Sequence, residues 1–275
     1  MAPNPSPGGS PGRSAAFFDL DRTLIAGSSG LPWARAATKA GLISRGQMVR
    51  WGVDATRFRL RGATDEATEK LMGEVKEVFR GMSARDLARL APEVLVGVLP
   101  RIYPEMLAEV YSHQDAGRPT FIVSAAGHEL VELLARILYM DGGIGTSYEI
   151  GEDGLFTGEL GGVFMYGEGK VTAMRRFADE HGIDLEASYA YSDAASDLPM
   201  LRAVGNPVVV NPDDELAAIA RDQGWRVMRF ERLGRRLAVA GLTAVLSGAA
   251  LLGRHRISAW TAQTSRSRAR RAKRS

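Results

Sequence analysis

The stretch Phe17-Phe18-Asp19-Leu20-Asp21-Arg22-Thr23-Leu24 decides how this chain is read. Ala15 to Phe18 form a short apolar run that ends on an aspartate, the pattern of a buried parallel strand. Two carboxylates then stand two residues apart where the chain leaves that strand. In an open α/β sheet, ligands bind outside the carboxyl ends of the strands, so Asp19 and Asp21 are placed to converge there. Paired carboxylates at such an edge can bind Mg2+ and divide nucleophilic and acid/base roles between them. A D-x-D-x-T string also arises by chance, so its meaning depends on what surrounds it.

Working outward, residues 28–113 read as successive helices punctuated by glycine or proline, at roughly 31–40, 44–61, 64–80, 83–98 and 103–116. No strand pattern interrupts them. The strand signal returns at 119–124 (PTFIVS), with a helix at 128–140 and strand-like residues at 144–150. A glycine-rich hairpin through 151–166 and a helix at 168–181 come next. Strands at 189–192, 207–210 and 226–230 follow, the last two separated by a helix near 213–223. A first strand, an all-helical insert and then alternating strands and helices predict a doubly wound parallel sheet. Residues 14–27 and 114–232 would form that core domain. Residues 28–113 would form a helical cap over the carboxyl edge of the sheet.

Both ends differ from this body. Residues 1–13 hold four prolines and three glycines and read as a disordered leader. They lack the basic start and apolar run of a signal peptide, and a cytoplasmic location is expected. Residues 233–275 read as a hydrophobic segment plus a basic tail. Residues 237–253 carry no charge, and residues 254–275 carry eight Lys/Arg and no acid. The segment either packs on the body, lies on a membrane or spans it. If a membrane is involved, peripheral contact of residues 237–275 with an anionic leaflet is expected. No aromatic or groove-reading motif accompanies the tail, so no specific nucleic-acid partner is expected.

Composition narrows the chemistry. The 275 residues are 45% hydrophobic and 24% charged, ordinary for a globular protein. There are no cysteines, which excludes disulfides, thiolate metal sites and a cysteine nucleophile. Four histidines make a histidine-rich metal site unpromising. The net charge of +3 comes from the tail, without which 27 basic residues face 32 acidic ones. Over residues 35–61, Arg35, Lys39, Arg45, Arg50, Arg57, Arg59 and Arg61 oppose Asp54 alone. They form either a solvated helix face or a basic rim that attracts an anionic substrate or surface. Trp33, Trp51 and Phe58 read as the core of the cap.

Three further features follow in chain order. Ser124 and Ala125 follow the run Phe121-Ile122-Val123, where a hydroxyl and backbone N–H groups can hold a phosphate oxygen or simply cap a helix. Lys170 starts the helix after the glycine-rich hairpin, where it is either an exposed lysine or a cation near the paired carboxylates. Asp193 ends the strand of Tyr189-Ala190-Tyr191-Ser192, and Asp197 lies four residues on. Acids at a strand's carboxyl end suit a hard cation.

Together, FFDLDRTL, the helical insert, Ser124, Lys170 and YSDAASDLPML resemble the haloacid dehalogenase superfamily, in its phosphoserine-phosphatase-like branch. The resemblance covers about residues 15–232 and includes all four motifs of that superfamily. It implies a Rossmannoid parallel core with a C1-type helical cap, and a Mg2+-dependent phosphomonoester hydrolase acting on a small phosphate ester. It implies that Asp19 is the nucleophile and becomes an aspartyl phosphate, and that Asp21 is the acid/base. Asp19, Asp21, Asp193 and Asp197 would form the metal site. Ser124, Ala125 and Lys170 would hold the phosphate. Carbon–halogen cleavage needs no acid for its leaving halide, so the second aspartate favours a phosphate ester. A phosphotransferase with the same intermediate, or a non-catalytic protein on this fold, are the alternatives. Two positions depart from the branch. Ala125 replaces a glycine. Ser28 stands where a glutamate meets the ammonium of phosphoserine, so phosphoserine is not the expected preferred substrate.

Overall fold

The computed structural model describes residues 13–50, 72–73 and 75–230. The leader residues 1–12, the arginines at 57, 59 and 61, Trp51, Phe58 and the segment 237–275 with its anticipated membrane contact lie outside them. Among the described residues, no helix is long and apolar enough to cross a membrane.

The apolar run forms strand β1 (Ala16–Phe18), all three residues buried. It pairs in parallel with β2 (Thr120–Gly127) on one side and β6 (Tyr189–Ser192) on the other. β3 (Gly142–Thr146) extends the β2 side. β7 (Asn206–Val210) and β8 (Arg226–Met228) extend the β6 side, giving a six-stranded sheet in the order β3-β2-β1-β6-β7-β8. Every neighbouring pair is parallel. The chain begins in the middle and builds outward first one way and then the other. β1 and β6 therefore flank the topological switch point, where the crevice of such a sheet opens.

Successive strand side chains face opposite sides, and β1 uses both. Phe17 stacks on Phe121 of β2, with ring centroids 5.6 Å apart, and joins the cluster that includes Met174 of α6 (Glu168–His181). Phe18 points to the other layer and stacks on Tyr191 at 4.4 Å, with His113 of α4 (Pro104–Asp115) edge-on at 6.0 Å. Each fully buried phenylalanine contributes about 1.5–3 kcal/mol. The layers are completed by α5 (His128–Ile137), α7 (Leu198–Arg202) and α8 (Asp214–Asp222). The Asp213 carboxylate caps α8 by accepting from Leu216 N–H at 2.9 Å.

Between β1 and β2 the described residues are helical: α1 (Gly30–Lys39), residues 45–50 and 75–79, α2 (Ala84–Ala88) and α3 (Ala91–Val98). The helix expected over 83–98 is two helices, with Leu90 as N-cap of the second, whose first turn holds Pro92. The strand signal at 144–150 also divides. Its first part closes the sheet as β3. Its second is β4 (Tyr148–Ile150), which pairs antiparallel with β5 (Phe156–Leu160) in a separate hairpin. That hairpin holds the helical insert. Phe79 stacks on Tyr148 at 4.3 Å and meets Trp33 at 5.5 Å, and Gly81 N–H donates to the Phe156 carbonyl at 2.8 Å. Trp33 therefore packs within the insert's own aromatic cluster.

Candidate active site

The site grows from the ends of β1 and β6. Asp19 N–H donates to the Tyr191 carbonyl at 2.9 Å, which extends the strand pairing one residue and aligns the two acidic segments. The chain then turns sharply. Leu24 and Ile25 N–H both donate to the Leu20 carbonyl, and Arg22 sits in the left-handed region at φ 64°. This turn separates Asp21 from Asp19. Thr23, fully buried, crosses to β6: its hydroxyl accepts from Asp193 N–H at 3.1 Å and donates to Asp193 Oδ1 at 3.4 Å. Thr23 thus fixes the two acidic loops against each other.

Lys170 enters from α6. The residue before it must be glycine, because a Cβ on Gly169 would overlap the Phe164 carbonyl. With the helix start so close to the hairpin exit, Lys170 is 3% exposed. Its Nζ donates to Asp19 Oδ1 at 2.6 Å and to Asp197 Oδ2 at 2.7 Å. The Ser192 hydroxyl donates to the same Asp197 oxygen at 2.7 Å. Asp197 therefore holds the lysine in place, and the lysine holds Asp19. Burial pulls the Lys170 ammonium down, but the charges of Asp19 and Asp197 more than offset this and keep it protonated.

Asp19, Asp193 and Asp197 are all buried, and the positive charge beside them is one buried lysine and the part-exposed Arg22. Burial, against the pull of Lys170 and with the push of Asp197 and Asp193, raises Asp19 to about 8. Burial likewise raises Asp193 to about 6, with Arg22 opposing and Asp197 adding to the rise. Asp193 Oδ2 is buried and accepts no hydrogen bond, although Arg22 Nε lies 3.2 Å away. A buried carboxylate oxygen without a hydrogen bond, beside two further buried acids, fits a hard divalent cation. Among the described residues, however, no three acidic or histidine side chains form a ready cage. A Mg2+ ion here would use single carboxylates together with backbone carbonyl and water oxygens, as Mg2+ commonly does.

Ser124 and Ala125 lie at the carboxyl end of β2, brought to the same edge by the Phe18–Ile122 register. The Ser124 hydroxyl is buried and accepts from Ala126 N–H at 3.2 Å, and the Ala125 carbonyl accepts from the Thr146 hydroxyl at 3.0 Å. Asp21 stands apart from the Lys170 cluster. Its carboxylate accepts from Ser28 and Ser29 of the turn before α1. Thr23, Ser192 and Ser29 are structural members of the site that the sequence reading left without a role, and the threonine of D-x-D-x-T was the signal for the first. Ser28, read from sequence as a substrate-specificity position, bonds Asp21 here.

The model for haloacid dehalogenase-like hydrolases matches residues 16–202. The chain belongs to that family. Within it, the chain is 32% identical over 237 residues to phosphoserine phosphatase SerB1 of Mycobacterium tuberculosis, covering 85% of this chain and 76% of that protein. It is 33% identical over 223 residues to a histidinol-phosphatase of Neisseria meningitidis, covering 80% of this chain and 100% of that protein. A solved substrate-bound phosphoserine phosphatase complex shares the fold, with a TM-score of 0.58 and 16% identity over 82% of this chain and 98% of that one. The matched range contains the four acidic positions and the buried lysine described above.

Proposed function

We propose that this haloacid dehalogenase-like hydrolase is a Mg2+-dependent phosphatase that works through an aspartyl phosphate on Asp19. The observation that carries the reading is the buried Lys170 bridge. It occupies Asp19 Oδ1 and leaves Oδ2 as the attacking oxygen. In the first step Asp19 Oδ2 bonds to phosphorus as the bond from phosphorus to the leaving oxygen breaks. Asp21 gives its proton to that oxygen. In the second step Asp21 takes a proton from water, the water oxygen bonds to phosphorus, and Asp19 leaves as a carboxylate with release of inorganic phosphate. Lys170, locked by Asp197 and Ser192, carries positive charge to the reacting group without having to reorganise. Ser124 and the backbone after it hold phosphate oxygens. Mg2+, held by Asp19, the Asp21 carbonyl and Asp193, would supply charge neutralisation on the transferring phosphoryl group.

The substrate we propose is a small anionic phosphate ester other than phosphoserine. Relatives bear the names of phosphoserine and histidinol phosphatases. Ser28, at the position where the phosphoserine enzymes use a glutamate, has its hydroxyl engaged by Asp21, and a hydroxyl is a poor partner for a desolvated ammonium. The test is phosphate release from phosphoserine, histidinol phosphate, sugar, nucleotide and lipid phosphates, with Mg2+ and with chelator. We expect Mg2+-dependent release that Asp19→Asn abolishes, with an ester other than phosphoserine hydrolysed best. Hydrolysis by Asp19→Asn near the wild-type rate would overturn the mechanism. An efficiency for phosphoserine well above all other esters would overturn the substrate assignment.

A further inference from the structure

The turn that carries Ser28 is built around Asp21. Ser29 N–H donates to Asp21 Oδ1 at 2.8 Å, and the Ser28 hydroxyl donates to Oδ2 at 2.7 Å. The Ser28 oxygen also accepts from Gly30 N–H at 3.2 Å, which leaves its own proton for Asp21. Behind the turn, Arg101 Nη1 donates to the Ser28 carbonyl at 3.0 Å, and Ala26 N–H donates to the Arg101 carbonyl at 2.7 Å. Gly27 lies between them at φ 77°, where a Cβ would overlap the Arg101 guanidinium. The left-handed φ favours glycine there, and a Cβ would also push the Arg101 guanidinium away from the turn. Arg101 thus reaches 73 residues back along the chain to brace one carbonyl of this turn.

We propose that Ser28 is a positioning residue for the acid/base work of Asp21, and that Arg101 fixes the turn from which it acts. The proposal rests on the hydrolytic reading above. The two donors on Asp21 differ in kind. Each oxygen keeps a second lone pair beside the donor it accepts, and in this proposal the proton transferred to the leaving oxygen is carried on Oδ2, with Oδ1 held by the backbone. The Ser28 hydroxyl donates to a lone pair that Oδ2 keeps whether or not it bears that proton. It therefore holds the same oxygen through both halves of the reaction. Without it, Asp21 is anchored by one donor only and the proton-carrying oxygen is free to swing. Misplacement of that oxygen matters only when the leaving group needs a proton. An alkoxide does, whereas a nitrophenolate leaves readily without one.

The experiment compares kcat/KM for p-nitrophenyl phosphate and for an alkyl phosphate, because kcat/KM reports the steps up to release of the leaving group. Wild type, Ser28→Ala, Ser28→Thr and Arg101→Met are measured with their melting temperatures. Ser28→Ala is expected to lose about tenfold or more on the alkyl ester and several-fold less on the aryl ester. Ser28→Thr, which restores the hydroxyl, should recover most of the loss. Arg101→Met should show the same bias at smaller size. Equal losses on both esters, or no loss, would overturn the proposal. If Ser28→Ala is too unstable to assay, the alkyl-to-aryl ratios of the other two variants decide. Persistence of alkyl ester hydrolysis in Asp19→Asn is a different outcome, and it would overturn the hydrolytic reading instead.

Discussion

Strand β6 and the turn after it carry two polar clusters, around Tyr191 and Asp193, built on opposite plans. Around Tyr191 the protein closes every bond. Arg118 Nε donates to His113 Nδ1 at 2.8 Å, which places the ring proton on Nε2, and Nε2–H donates to the Tyr191 hydroxyl at 2.8 Å. Tyr191 donates to Glu109 Oε2 at 2.9 Å, and Arg226 grips both Glu109 oxygens at 2.9 and 2.7 Å. Around Asp193 the protein stops short. Lys170 bridges Asp19 and Asp197, while Asp193 Oδ2 accepts no hydrogen bond among the described residues and has the part-exposed Arg22 as its ionic neighbour at 3.2 Å. A satisfied buried network specifies and rigidifies a fold, whereas a buried polar atom left without a hydrogen bond marks a strained, catalytic or ion-binding place. Polarity and burial do not separate the two clusters. The difference lies in whether the protein completes its own bonding.

Variants can break this contrast, and the largest effect belongs to the open cluster. Asp19→Asn should lower turnover by about a thousandfold or more, because the amide cannot attack phosphorus. Its metal-free melting temperature should be unchanged or higher, since burial and the neighbouring acids already disfavour a charge on Asp19 and the amide carries none. A large fall in melting temperature would show the open cluster to be structural. Lys170→Met should cost about 3–5 kcal/mol in urea unfolding, by leaving Asp19 and Asp197 buried without their cation. Added Mg2+ should recover part of that loss. Stability equal to wild type without metal would contradict the view that the lysine holds the carboxylates.

The closed cluster should answer to pH. Burial, with the Arg118 charge and against that of Glu109, lowers His113 to about 4, below its ordinary 6.5. Between those values the unfolded chain takes up a proton and the folded protein does not. The His113 contribution to stability is therefore fully present above about 6.5 and is lost as pH falls toward about 4, by about 3 kcal/mol at the limit. His113→Asn should flatten that part of the melting-temperature profile, and an unchanged slope would sink the assignment. The smallest effect is expected for Tyr191→Phe. It keeps the ring on Phe18 but leaves His113 Nε2–H and Glu109 each short of a partner, at about 1–2 kcal/mol. Turnover should change little, because the affected groups lie outside the Lys170 cluster.

The open cluster was largely legible in the sequence and the closed one was not. Asp19, Lys170, Asp193 and Asp197 each follow a strand end or start a helix, where the topology must place them at one edge. The relay could not be read, because His113, Arg118, Glu109 and Arg226 meet only through tertiary packing, and their spacing in sequence carries no period. β3 was misplaced because it begins Gly142-Gly143, without the branched side chains that signal a strand. The same run then leaves the sheet at Ser147 for a hairpin, a change of partner that local pattern does not encode. Asp197 was read as part of the metal site. Its bond to Lys170 now gives it a definite task, which sequence spacing alone could not distinguish from a ligand's.

The proposed mechanism rests on Asp19 as the nucleophile. The most direct measurement is acid quenching of the Mg2+-loaded protein after mixing with p-nitrophenyl phosphate, followed by peptide mass spectrometry. A single added phosphoryl group on the peptide carrying Asp19, absent from Asp19→Asn, is the predicted result. Turnover with no phosphoryl group trapped at Asp19, or the same label in Asp19→Asn, would contradict it.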